Sequence, residues 1–429
     1  MNKNRLFWKV IPCLLLLLQA CQSYLTIEPE NRKVSEGYFD TAQRVEQAVI
    51  GAYVDLRRAL VANHAWLMYG EVRAGDLQVT GTHGGEVGAQ RLNSDNLQVR
   101  QLSDWGYFYD VIGSANYVLE LLQKSEAETL TAYYRNLFRG EALALKSFAY
   151  FYLARVWGDI PSVEQGNVGQ RLGSEEAASL AADYAREAVG LLPWILLNED
   201  EIESAALTRV RFNKTAATLL LAQTELWRGR NSDAYTAITQ LYADQATGNW
   251  SSFGVSMGTD TRSSISTTPL SNQLVYIPLA RLNELFPTGD TRRSRLFTVS
   301  QDRASLIVSD QTVLPLLKLE EIDLVMAEAA WRNGRLEEAI EFLVKVSAGA
   351  TEDYSELTES EFADALLLER QRLLIGTGQR FFDLMRFGQV TRHVPALTES
   401  GVAQGASYWP LSPRSISDNQ WNQRSYWAQ

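Results

Sequence analysis

Gly254-Val255-Ser256-Met257-Gly258 has the spacing G-x-S-x-G, which in serine hydrolases holds a nucleophilic serine on a sharp strand-to-helix turn. Asp310 and His393 follow in the chain order Ser, Asp, His that such a triad takes. The turn needs a strand before the serine and a helix after it. Here GNWSSF precedes the motif and TDTRSS follows it, and both read as loop, so no catalytic residue is expected. His64, His83 and His393 are scattered without H-x-x-x-H spacing, so they suggest no zinc site. Gly81-Thr82-His83-Gly84-Gly85 lacks the Gly-Lys-Ser/Thr ending of a phosphate loop. The 51 acidic residues leave room for a glycosidase carboxylate pair, but most belong to solvated helix faces and the sequence singles out none.

Binding chemistry is better represented than catalysis. Eleven Trp and eighteen Tyr can stack on the C–H face of a sugar while polar neighbours take its hydroxyls. Trp105, Phe108, Tyr109, Phe148, Tyr152 and Trp157 fall on helical stripes and are expected in the core. Trp250 and Phe253 lie in loop sequence and are freer to meet a ligand. Residues 78–104 hold no aromatic residue, so contacts from that segment would be polar, from Arg91, Asn93, Asp95 or Asn96.

Helices must position these groups. Val45, Ala48, Val49, Ala52, Tyr53 and Leu56 form one stripe of a helix capped by Asp40 or Thr41. Trp105 to Leu119 and Phe138 to Val156 carry two more, the second stopping at Gly158-Asp159-Ile160-Pro161. Further helical patterns recur near 174–192, 212–228, 232–243, 320–333, 335–347, 361–375 and 380–387. Residues 77–104 read as a long polar loop, and 246–315 as the least helical part of the chain. AQTELWRGRNSDA at 222–234 and AEAAWRNGRLEEA at 327–339 match at one offset. Ala222, Gly229, Arg230 and Ala234 fall on Ala327, Gly334, Arg335 and Ala339. A small residue, a Gly turn and a second small residue let paired helices approach closely, as in a tetratricopeptide-like unit. The chain therefore reads as mostly α.

The N-terminus reads as an address. Lys3, Arg5 and Lys9 precede a short apolar run, Val10 to Leu18, about half of the roughly 20 residues that span a bilayer. Leu18-Gln19-Ala20-Cys21 then resembles a bacterial lipobox, with Gln19 where a small or hydroxyl residue is usual. Residues 1–20 are expected to be a lipoprotein signal peptide, and 21–37 an extended tether with a lipid on Cys21. The only other cysteine, Cys13, leaves with the signal, so disulfides and Cys-based metal sites are excluded from the body. Net charge is −11, and becomes −14 when Lys3, Arg5 and Lys9 are removed. That balance argues against nucleic acid or an anionic lipid surface as partner. A lipid would hold this acidic body at a membrane.

Several segments together resemble the SusD/RagB-like outer-membrane nutrient-binding lipoproteins of Bacteroidota. They are CQSYLTIEPE after the lipobox, GEVRAGD at 70–76, RGEALALKSFAYFYLARVWGDIP at 139–161 and LFPTGDTRR at 285–293. LKLEEIDLVMAEAAWRNG at 317–334, ERQRLLIGTGQRFFDLMRFG at 369–388 and YWPLSPRSI at 408–416 complete the set. The resemblance implies a body over 38–429 that is a tetratricopeptide-like helical-repeat scaffold. It also implies an irregular, loop-rich ligand-binding region around 77–104 and 246–315. The function implied is non-enzymatic: capture of an oligosaccharide or peptide at the cell surface and delivery to a SusC-like TonB-dependent outer-membrane transporter. A lipid-anchored hydrolase of glycans or esters and a helical-repeat scaffold lipoprotein are the alternatives. Two departures matter. The loop after Asp76 lacks the stacking aromatics of starch-binding members, and Thr377 replaces a glutamate usual before the Arg-Phe-Phe-Asp-Leu stretch. The expected ligand contacts are Arg73, Asp76, Arg91, Asn96, Trp250 and Tyr276. No metal or cofactor is expected beyond the diacylglycerol and fatty acyl groups on Cys21.

Overall fold

The structure, a computed structural model, describes residues 42–125, 130–164, 167–198, 200–244, 255–258, 275–306, 313–419 and 421–428. The expected signal peptide, the expected tether with Cys21, and the expected Asp40/Thr41 cap lie outside these residues, as do Trp250, Phe253 and Asp310. The helices that matter below are α1 (Ala42–Val61), α2 (Thr82–Gly88), α3 (Leu97–Leu102), α4 (Gly106–Lys124), α5 (Ala132–Val156) and α6 (Ser174–Leu191). They continue with α7 (Lys214–Trp227), α8 (Asn231–Ala243), α9 (Leu279–Leu285), α10 (Glu320–Arg332), α11 (Leu336–Val346), α12 (Glu359–Leu373) and α13 (Arg380–Arg386).

The long helices pack in a ladder: α1 on α4, α4 on α5, α5 on α6, α6 on α7, α7 on α8, α8 on α10 and α10 on α11. This is the expected mostly α scaffold of stacked helix pairs. The α7–α8 and α10–α11 turns repeat the same geometry. Gly229 and Gly334 sit at φ +70° and +74°, a region open to glycine without a Cβ penalty. In each turn the following arginine's N–H reaches back five positions, Arg230 to Glu225 O at 2.8 Å and Arg335 to Ala330 O at 3.0 Å, closing a Schellman cap. Ala222, Ala234, Ala327 and Ala339 are fully buried, so the small residues do set the helix approach. The aromatic stripes are core as expected: Phe108 stacks on Tyr152 at 5.2 Å, and Trp105 and Trp157 meet edge to face.

The segment 77–104 is not one long loop. It contains the two-residue strand β1 (Gln78–Val79), α2 and α3, because Asn96 caps α3 by accepting from the N–H groups of Gln98 and Val99. The remaining strands are short: β2 (Ile160–Glu164), β3 (Asn167–Leu172), β4 (Val255–Gly258), β5 (Val275–Pro278), β6 (Phe297–Ser300), β7 (Arg303–Leu306) and β8 (Val313–Leu317). They form hairpin β2–β3, pair β4–β8, and a four-stranded sheet in the order β1-β5-β7-β6. Five of the eight strands among the described residues fall within 246–315 or at its end, matching its low helical signal. No helix among the described residues is long and apolar enough to cross a membrane.

Candidate functional site

The segment GEVRAGD, residues 70–76, is buried except at Gly75. Gly70 lies against the backbone of Gly378, so a Cβ there would be 2.4 Å from the Gly378 carbonyl oxygen. The Gly378 N–H donates to both Glu71 carboxylate oxygens, at 2.9 and 3.0 Å. Arg73 is 2% exposed; it donates to the carbonyls of Ala406 and Ser407 and to Gln90 Oε1, with its guanidinium 4.0 Å from the Phe381 ring centre. Asp76 is 1% exposed; it accepts from Gln371 Nε2 at 2.7 Å and Arg281 Nη2 at 2.8 Å, and lies 3.3 Å from Arg380 Nε. Arg73 and Asp76 are thus placed inside the protein with their polar atoms engaged, which corrects their expected place as ligand contacts. They hold three distant chain segments together. Thr377 fits the same joint by donating to Leu374 O at 2.6 Å just beyond α12, a local bond that needs no glutamate.

Burial pushes the Glu71 carboxyl up to about 8, with the backbone donors opposing only in part. Glu321, also fully buried, is pushed up to about 7 by desolvation. A carboxyl whose folded value is raised stabilises fully below its unfolded value near 4.5 and loses that contribution as pH climbs through the folded value. Melting temperature is therefore expected to fall between about pH 4.5 and pH 8 and to level off above that. Glu71→Gln, which keeps an oxygen for the Gly378 N–H, should flatten the upper part of that fall. An unchanged slope in calorimetric scans would count against the assignment.

Two residues beyond Asp76 the chain enters β1, and Gln78 pairs with Tyr276 of β5. This antiparallel pairing sets Gln78, from the 77–104 segment, beside Tyr276, from the 246–315 segment. The Tyr276 hydroxyl donates to Gln78 Oε1 at 2.7 Å, and the Arg303 guanidinium lies 4.5 Å from the Tyr276 ring centre. Arg303 comes from β7, where it pairs with Pro278. Arg281, on α9 directly after β5, anchors this sheet to buried Asp76. The patch thus offers an aromatic ring, a carboxamide and a guanidinium at fixed positions. Gln78 and Arg303 were not legible as site residues. Gln78 lay in an undifferentiated polar run, and Arg303 reaches Tyr276 only through strand pairing.

The other expected contacts are placed as follows. Arg91 is exposed and paired with Glu86 at 2.8 Å. Asn96 commits its oxygen to the α3 cap and its Nδ2 to Thr82 Oγ1 at 2.9 Å. Ser256 sits mid-strand on β4, opposite Pro315 of antiparallel β8, and not on a strand-to-helix turn. His393 ends a short helix; burial, then Arg380 and Arg392, lower its proton affinity. No cluster of potential metal ligands occurs among the described residues. An open groove of about 1060 Å³ runs along α1 and α5, lined by Ile50, Val54, Leu207 and Val210 among others. It shares no residue with the Tyr276 patch, and its buried cation, Arg211, is taken up by Glu46 and Glu141.

Comparison with known proteins follows the same lines. Residues 23–226 match a SusD-like family model described as starch-binding and associating with the outer membrane, and 308–428 match the SusD family model. The chain belongs to the SusD/RagB-like family. A SusD-like protein of Formosa agariphila is 23% identical over 94% of this chain and 95% of its own. A SusD superfamily protein of Bacteroides thetaiotaomicron superposes with a TM-score of 0.78 at 22% identity, covering 91% of this chain and 99% of that one. A laminarin-binding SusD-like protein superposes with a TM-score of 0.70 at 17% identity, over 89% and 99% of the two chains. Both structural likenesses concern the fold.

Proposed function

We propose that this SusD-like chain is an outer-membrane surface lipoprotein that binds an oligosaccharide at the Gln78–Tyr276–Arg303 patch. It passes the ligand to a SusC-like TonB-dependent transporter, without chemistry of its own. The observation that carries the reading is the β1–β5 pairing, which sets Gln78 beside one half-buried tyrosine. The ring supplies an apolar face, and Gln78 and Arg303 supply a carboxamide and N–H donors for sugar hydroxyls. Family membership and the laminarin-binding relative of the same fold support a glycan as ligand.

Calorimetric titration with a panel of neutral oligosaccharides, laminarihexaose among them, is the test. At least one is expected to bind, with Tyr276→Ala weakening it about tenfold, roughly 1.4 kcal/mol. Binding unaffected by Tyr276→Ala, or turnover of a ligand during the titration, would overturn the reading. The anchor is tested in cells: wild-type protein should take up labelled palmitate and fractionate with the outer membrane, and Cys21→Ser should do neither. A TonB-dependent barrel is expected to co-purify with the anchored protein, and its absence from such preparations would remove the delivery step.

A further inference from the structure

A second cluster of cations and aromatic rings lies away from this patch, where hairpin β2–β3 meets the C-terminal segment. Asp159, just before β2, is shared by two guanidinium groups. Arg171 Nη2 of β3 donates to Asp159 Oδ2 at 2.7 Å, and Arg424 Nη2 is 3.1 Å from Oδ1. Among the described residues one carboxylate thus balances two cations, leaving one positive charge over on a chain of net charge −11. Each guanidinium lies over a ring: Arg424 is 4.1 Å from the Tyr408 centre, and Arg171 is 4.9 Å from that of half-buried Trp421. Trp421 is itself held edge to face by buried Trp105 at 5.3 Å.

The two arginines differ in what they have left to offer. Arg424 is 25% exposed, also donates to the Trp157 carbonyl, and fills the space where a Cβ on Gly158 would be, 2.2 Å from its Nη2. It is part of the frame. Arg171 is 55% exposed, and among the described residues its Nε and Nη1 donate to nothing. Nη2 gives one of its two N–H groups to Asp159, so its other N–H, with the neighbouring Nε or Nη1, leaves one edge of the planar fork open, held beside Asp159 and Trp421. Such an edge matches the two oxygens of a carboxylate. An indole beside it can take the C–H face of a sugar ring.

We infer that Arg171, with Trp421 beside it and Asp159 and Arg424 holding it, forms a second subsite that recognises the carboxylate of an acidic sugar. The inference rests on the reading of the chain as a glycan binder, but on different residues. Because Arg171 and Asp159 make a solvent-exposed pair, worth roughly 0–1 kcal/mol, Arg171→Gln should fold normally.

The experiment titrates purified protein with tri-galacturonate and with its fully methyl-esterified form, which keeps the rings and removes the charge. The acid is expected to bind at least tenfold more tightly than the ester. Arg171→Gln should abolish that preference, while Tyr276→Ala leaves it intact. Inorganic phosphate at the same concentration should not displace the acid. Equal affinity for acid and ester, no binding of either, displacement by phosphate, or a preference that survives Arg171→Gln would each overturn the inference. A preference lost with Tyr276→Ala would assign it to the first patch instead. Failure at Arg171 alone would leave neutral-glycan binding at Tyr276 standing, so the two readings fail separately.

Discussion

Asp76→Ala should cost about 3–5 kcal/mol of folding stability, the usual consequence of removing one partner from a buried ionic network. The carboxylate accepts from Gln371 and Arg281 and forms an ion pair with Arg380. Alanine would leave the Arg380 guanidinium, 4% exposed, without that counter-charge. It would also free Arg281, which ties the start of α9, and so β5, to the scaffold. The substitution therefore has a second expected effect: the Tyr276 patch loses its fixed position and glycan affinity falls with stability. Asp76→Asn, which retains one acceptor oxygen, should be milder on both counts. Denaturant unfolding with an unchanged midpoint for Asp76→Ala would show that the network is not what holds the sheet.

Gly378→Ala is the second large effect. Gly378 has φ +84°, and a Cβ there would be 2.6 Å from the Trp66 carbonyl oxygen while Gly70 crowds the other side. Left-handed backbone costs a non-glycine residue about 1–2 kcal/mol, and forced overlap in a packed interior about 1–3 kcal/mol more. Gly229→Ala is the matched control. It also has positive φ, but nothing lies within 4 Å of its Cβ, so only the backbone cost applies. Equal losses of melting temperature in the two variants would refute the close approach of Gly378 to the Trp66 backbone.

The buried charges near α13 show a different balance. Burial opposes ionisation of Glu328, but Arg386 and its neighbours outweigh it and hold the carboxyl down to about 2. Arg386 donates to both Glu328 oxygens and to Asp383, which also receives Arg370. RFFDLMRFG, which reads as a family signature, is thus a structural joint. The same holds for GEVRAGD. Both segments pair with residues far away in the chain, and the polar atoms of Arg73 and Asp76 are taken up by that internal pairing.

The sequence by itself determined the helices, their pairing and the family. Helical stripes, Gly turns and small residues are local signals, and the repeat at 222–234 and 327–339 carries its own geometry. Loss of helical period also marked 246–315, where short strands occur, but it read 77–104 as one loop where two short helices stand. Only the tertiary structure decided which residues of those regions meet. Gln78 and Tyr276 are brought face to face by a two-residue strand pairing, too short to leave a periodic trace. Arg303 joins them through a second pairing, and Arg171 meets Trp421 across the join between a hairpin and the C-terminus. Composition and spacing report what a segment can do alone, and a binding surface depends on which distant segments are placed side by side.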